Sequence, residues 1–176
     1  IISNNNNKII IASHLGRPNE GECQKELSLE PICKYLSTVL NKRIKFFTNL
    51  SVDIDFKGYD VAMLENMRFN VGEKICDPKL SKTLASLADV FVFDAFGVSH
   101  RKESSTYGVA DFIDVIPGLN IKHEITTINK LINEVSRPMT IIISGSKVST
   151  KSILIRKLLN RCDNMILGGG ILNTFL

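Results

Sequence analysis

Close cysteine pairs, long apolar runs and strong charge are all scarce in this 176-residue sequence, and each scarcity removes a class of function. The four cysteines are Cys23, Cys33, Cys76 and Cys162. No two have the close spacing of a zinc or redox motif, so reduced structural thiols are the expected state. No apolar run is long enough to span a bilayer, and no secretory leader pattern is visible. The formal charge of +4 is mild and forms no basic stripe interleaved with aromatics. That excludes a nucleic-acid binder of the usual kind and leaves a small bias toward anionic ligands. There is no internal repeat, and the only low-complexity tract is Asn4 to Asn7.

The remaining composition, 44% hydrophobic and 23% charged, is that of an ordinary globular protein. The length suffices for one domain with a core, or for one domain and part of another. The chain starts at Ile1 and its last residues, 171–176, stop inside an apolar run, so both ends are expected to be cut.

Short apolar segments alternate with amphipathic ones along the chain. Strands are expected at 9–13, 44–47, 61–64, 90–93, 140–143 and 165–167. A first helix is capped by Ser28, has Pro31 in its first turn and carries Ile32, Tyr35, Leu36 and Leu40 on one face. A second is capped by Asp77 with Pro78 just inside, and Leu80, Leu84 and Leu87 form its buried stripe. A third follows Gly118, with Ile121, Ile125, Ile128, Leu131, Ile132 and Val135 at helical spacing. A fourth covers 150–160. The alternation predicts an α/β fold with Rossmann-like parallel sheets covered by helices. The third helix is either a connector between two domains or one more crossover helix of a single sheet.

Ligands of open parallel sheets sit at the carboxyl ends of the strands. Here those ends are polar and basic. The first strand runs into Ser13-His14-Leu15-Gly16-Arg17, the third into Glu65-Asn66 and Arg68, the fourth into Asp94 and then Ser99-His100-Arg101. A lone surface arginine is an ordinary solvated charge. Three arginines and two histidines delivered to one sheet edge instead suit a small, multiply charged anion, because guanidinium groups bind phosphate and carboxylate through paired, charge-assisted bonds. A second constellation is Ser144-Gly145-Ser146-Lys147-Val148-Ser149-Thr150-Lys151, between a strand and a helix. Small residues there admit close backbone approach, the helix start favours an anion, and two lysines add charge. The first glycine of a Walker loop is absent. Gly168-Gly169-Gly170 forms another close-approach loop after the next strand.

These strings resemble the signatures of phosphoglycerate kinases. SHLGRP at 13–18, LENMRFNVGE at 64–73, DAFGVSHRKESSTYG at 94–108, SGSKVSTK at 144–151 and GGGILNTFL at 168–176 follow one another in the family's order. Ser146 and Thr150 resemble the bacterial version of the lysine loop. The resemblance implies a phosphoglycerate-binding domain over 1–117, incomplete at its start, an interdomain helix over 118–137, and the truncated start of a nucleotide-binding domain over 138–176. It implies that His14, Leu15, Gly16, Arg17, Arg68, His100 and Arg101 contact the substrate. Lys147 is the implied catalytic lysine, and Gly145, Lys147, Lys151, Gly169 and Gly170 the implied nucleotide contacts.

The implied reaction is reversible phosphoryl transfer between 1,3-bisphosphoglycerate and ADP, giving 3-phosphoglycerate and ATP. Mg2+ would accompany the nucleotide, with its ligands beyond the present sequence. A monomeric cytoplasmic protein is implied, with small-molecule substrates and neither nucleic acid nor membrane as partner. Hinge closure would bring the two domains together. Two departures from the family pattern stand out, Ser144 where glycine is usual and Phe93 where asparagine or methionine is common. The stretch alone is expected to be inactive, since the opening substrate loop and most of the nucleotide domain are not in it. The competing expectation is a non-catalytic remnant that holds phosphoglycerate and transfers nothing.

Overall fold

Four consecutive buried residues, Val61 to Leu64, form the central strand β3 of the first sheet. A strand that is apolar on both faces belongs in the middle of a parallel sheet, and β3 lies between β1 (Ile9–Ile11) and β2 (Ile44–Phe47), parallel to both. The computed structural model describes residues 7–50, 54–145 and 151–174. Helix α1 (Glu30–Leu40) leads from β1 to β2, and helix α2 (Pro78–Ala85) precedes β4 (Phe91–Phe93). Strand β4 pairs in parallel with β5 (Val115–Pro117). Helix α3 (Leu119–Asn133) comes next. Strands β6 (Thr140–Ser144) and β7 (Asn164–Gly168) then pair in parallel around helix α4 (Ser152–Leu159). The fold is thus α/β with parallel sheets throughout the described residues. By their contacts the residues divide into two compact units, 1–122 and 123–176.

The core of the first unit joins Leu29, Cys33 and Met63, with Ile11, Leu36, Ile44 and Phe46 against them. That of the second joins Ile143, Ile155 and Ile171, backed by Ile141, Leu158, Met165 and Leu167.

Several local expectations need correction. In α1 the inward line is Leu29, Cys33 and Leu36, while Ile32 and Tyr35 are exposed. The helix starts at Glu30, one residue later than a Ser28 cap would place it. Ser28 Oγ still accepts from the Glu30 N–H at 3.2 Å. In α2 the Asp77 cap is present, accepting from Lys79 N at 2.6 Å and Leu80 N at 3.2 Å. Its fully buried residues are Ser81 and Ala85, however, and the leucines at 80, 84 and 87 are only half-buried. The cause is a tight approach by the 3-10 turn at Gly108–Asp111, where a Cβ on Gly108 would collide with Ser81 Oγ and Cys76 Sγ. Only small residues fit there. In α3, Ile121 is buried, but Ile125, Ile128, Leu131 and Ile132 are exposed. Strand β5 is an addition to the expected elements. It has three residues, ends in proline and shows no apolar alternation, and proline is tolerated where a strand needs no further donor.

Candidate anion site at the strand ends of the first unit

Glu65 and Asn66, the two residues after β3, fix the loops around them. The Glu65 carboxylate accepts from Ser28 Oγ at 2.7 Å, Leu29 N at 2.8 Å and Asn66 N at 2.8 Å, which fastens the start of α1 to the end of β3. Asn66 is fully buried. Its Nδ2 donates to Leu15 O at 2.8 Å and Leu27 O at 2.9 Å, and its Oδ1 accepts from Leu15 N and Arg68 N. Met67 N adds a bond to Ser13 O. A buried amide satisfied on both sides holds the 13–18 loop in one place. Gly16 allows that loop its turn. Its φ is +64°, and a Cβ there would stand 2.6 Å from Leu27 Cδ2.

Arg68 is buried. Its Nη1 donates to Gly16 O at 2.7 Å and its Nη2 to the two oxygens of Glu103 at 3.3 and 3.5 Å. Arg101 reaches the same carboxylate, with Nη1 3.6 Å from Glu103 Oε1. Its Nε is shielded from solvent and has no hydrogen-bond partner, although the side chain as a whole is 34% exposed. His14 is half-buried beside this cluster. Its pKa is lowered, first by burial, then by the positive charge of Arg68, with Arg101 adding to the effect and Glu103 opposing it. His14, Gly16, Arg68 and Arg101 therefore meet at one spot. Arg17, Leu15 and His100 lie in the same loops but are exposed.

Behind the arginines sits Glu73, also buried. It accepts from Ser105 N at 3.1 Å and from Ser105 Oγ, while its backbone carbonyl accepts from Ser104 N at 2.9 Å. Ser104 Oγ donates to Gly72 O at 3.0 Å. These bonds hold the turn that carries Glu103. Burial pushes the Glu73 carboxyl up to about 7, Glu103 adds to the rise, and the Ser105 bonds and Arg68 oppose it.

Sequence reasoning passes over Glu73 and Glu103. A loop carboxylate reads as solvated, and the only available signal is the close sequence spacing of Glu103 to Arg101. Asp94, expected at the strand-end pocket, serves another purpose. It accepts from Ile121 N at 2.9 Å and Asn120 Nδ2 at 3.0 Å and so anchors the first turn of α3.

In the second unit, β6 ends at Ser144 and Gly145. Lys151 Nζ donates to Ser144 O, and Gly145 O accepts from Ile171 N at 3.0 Å. Gly145 and Gly169 have φ of +145° and +62°, conformations that favour glycine. A Cβ on Gly169 would stand 3.0 Å from Ser144 Oγ, so Ser144 lies directly against the triple-glycine turn. Gly170 is next, exposed, in the same turn. Lys147 lies outside the described residues, as do Ser146 and Thr150.

The geometry describes a two-unit parallel α/β protein with a basic cluster at the strand ends of one unit and a glycine-lined turn in the other. Comparison with known proteins is more specific. The family profile described as phosphoglycerate kinase matches residues 1–176. A phosphoglycerate kinase of Francisella tularensis subsp. holarctica (strain FTNF002-00 / FTA) is 47% identical over 169 residues, covering 96% of this chain and 43% of the relative. One from Legionella pneumophila (strain Paris) is 43% identical with the same coverage. Among solved structures, phosphoglycerate kinase from Coxiella burnetii superimposes with a TM-score of 0.81 at 40% identity, over 96% of this chain and 43% of that one. The enzyme from Pyrococcus horikoshii OT3 gives 0.75 at 25% identity, over 94% and 44%. The chain belongs to the phosphoglycerate kinase family, and it spans less than half the length of these relatives.

Proposed function

We propose that the chain supplies the phosphoglycerate side of a glycolytic phosphoglycerate kinase, which exchanges a phosphoryl group between 1,3-bisphosphoglycerate and ADP to give 3-phosphoglycerate and ATP. The meeting of Arg68, Arg101 and His14 at the strand ends carries this reading. Arg101, the less buried of the two arginines, would meet the substrate, and Arg68 adds a fixed positive charge from behind. Neutral His14 donates or accepts one hydrogen bond. Gly16, Leu15, Arg17 and His100 complete the rim. These groups position a phosphorylated carboxylate, and positioning with charge stabilisation is most of what phosphoryl transfer asks of a protein.

In the second unit Gly145, Gly169, Gly170 and Lys151 would take the nucleotide phosphates, with Lys147 as the catalytic lysine. Mg2+ would arrive with the nucleotide. Among the described residues no group of three His, Cys, Asp or Glu side chains gathers as a ligand set. The reaction belongs to the cytoplasm, and no helix among the described residues is long and apolar enough to cross a membrane. Because the chain covers 43% of its relatives, it is expected to bind phosphoglycerate without turning it over. A coupled assay showing ATP-dependent turnover by this chain would overturn that expectation.

The binding test is calorimetric titration of 3-phosphoglycerate into the chain and into Arg101→Ala. Losing a charge-assisted pair of bonds should weaken binding by at least about tenfold. Equal affinity for both proteins would remove Arg101 from the site and the reading with it.

A further inference from the structure

A carboxylate is already installed where an anion is supposed to bind. Glu103 is 7% exposed, and its Oε1 is shared between Arg68 Nη2 at 3.3 Å and Arg101 Nη1 at 3.6 Å. Arg68 divides its two terminal nitrogens between protein acceptors, Gly16 O and Glu103. Arg101 is the less buried of the two, its side chain 34% exposed against 7% for Arg68, so an incoming anion would be met by Arg101. It would also meet Glu103 on the same guanidinium. Two guanidinium charges and one carboxylate leave the cluster at +1, where the arginines alone would give +2.

The carboxylate is not an incidental surface partner. The turn that carries it is closed by Tyr107 N and Gly108 N onto Glu103 O at 2.9 and 3.1 Å, and by Thr106 Oγ1 onto Arg101 O at 2.9 Å. The turn is fastened from below by Glu73 through Ser104 and Ser105. The charged or titratable groups around Glu103 are thus Arg68 from the β3 side, His14 from the β1 loop, Arg101 from its own turn and Glu73 beneath.

We propose that Glu103 is a positioning and affinity-setting residue of the anion site, a built-in counter-charge that holds both arginines in place and lowers the affinity the site offers to phosphorylated carboxylates. This deepens the phosphoglycerate reading and rests on it. The consequence is a site that releases its anion more readily than the two arginines alone would. Replacing the carboxylate with a neutral amide of the same shape keeps one acceptor for the Oε1 contacts, turns the other oxygen into a donor, and raises the net charge by one.

The test compares wild type, Glu103→Gln and Glu103→Asp as the 176-residue chain, with two probes, 3-phosphoglycerate and inorganic phosphate. Glu103→Gln is expected to bind both anions about tenfold more tightly, with a steeper salt dependence, as one added unit of positive charge requires. Glu103→Asp keeps the charge and should bind as wild type. Equal or weaker binding by the Gln variant, or an Asp variant as tight as the Gln variant, overturns the proposal.

A ligand-free readout runs alongside. The imidazole titration of His14, followed by NMR and assigned by its loss in His14→Asn, should move to lower pH in Glu103→Gln, because the charge that raised it is gone. An unmoved titration overturns the proposal without reference to any ligand. If 3-phosphoglycerate binds no better than phosphate in either protein while Glu103→Gln tightens phosphate, the substrate reading fails and the counter-charge stands. If the Gln variant does not fold, an Asp variant that tightens either anion overturns the proposal, and one that binds as wild type with His14 unmoved supports it.

Discussion

The two units build their strand ends by different means. In the first, side chains do the joining, and Asn66, Arg68, Glu73, Glu103 and Ser104 are all buried polar residues tied to one another or to loop backbone. In the second, glycine backbone stands at the ends of β6 and β7, at Gly145 and Gly169, with Lys151 reaching one carbonyl. The first arrangement fixes charges before a ligand arrives, as a site that must orient a small anion requires. The second leaves open backbone for a ligand to approach.

The largest effect should come from breaking the first arrangement. Arg68→Ala leaves Glu103 buried with only the longer contact to Arg101, and removing one member of a buried pair typically costs about 4 kcal/mol. Lys151→Ala removes a half-exposed side chain, and its effect on stability should stay within about 1 kcal/mol. Urea denaturation of both variants tests the contrast. Comparable losses would mean that the two strand ends are equally preorganised.

The cores give the next contrast. Met63 is 1% exposed, at the centre of β3 against Leu29 and Cys33. Met63→Ala should cost about 3 kcal/mol, the usual range for a buried methionine. A loss below about 1 kcal/mol would show that the site collapses around the deletion, and that β3 is less central than its burial indicates.

Glu73 turns the comparison into a pH dependence. Its carboxyl titrates near 4.5 when unfolded and at about 7 in the fold. The folded state therefore holds a proton that the unfolded state has already lost between those values. Stability from this group is full below pH 4.5 and declines as pH rises to about 7. His14 works in the opposite direction. Its folded pKa lies below 6.5, so its contribution is lost as pH falls below that value. Glu73→Gln removes the first effect and leaves the second. The stability of wild type minus that of the Gln variant should fall by about 2.5 kcal/mol between pH 5 and pH 8. A difference that does not change with pH would place the Glu73 carboxyl in water rather than under the arginines.

Much of the fold and part of the site are legible in the sequence, for a physical reason. Parallel strands are continuous apolar runs, and the residues after each run lie at the carboxyl edge, so SHLGR and ENMR fall on one edge, after β1 and β3. The expected third member does not: β4, which precedes SHR, pairs with β5 in a separate sheet, and Arg101 joins the cluster through its contact with Glu103. The α/β alternation and the Asp77 cap are legible for the same local reasons. Glu73 and Glu103 are not, because their importance arises from burial by segments 30 or more residues away, and a carboxylate in a loop carries no sign of that in its neighbours. Helix faces are displaced for a related reason. Apolar spacing alone places Tyr35 and Ile32 inward, whereas packing selects Cys33. In α2 it selects Ser81, the only kind of residue that fits against Gly108.

The smallest expected effect lies on the open face of the second unit. Ile142 and Ile166 are cross-strand partners in β6 and β7, 71% and 52% exposed, while their neighbours Ile143 and Leu167 pack with the core. An isoleucine already in water contributes little burial, so Ile142→Thr and Ile166→Thr should each change stability by less than about 0.5 kcal/mol. Threonine keeps the β-branch that a strand favours. The pair does form an exposed apolar patch of the kind that promotes association, and light scattering of the double variant should show less self-association than wild type. A loss above about 2 kcal/mol would mean that this face is covered in solution.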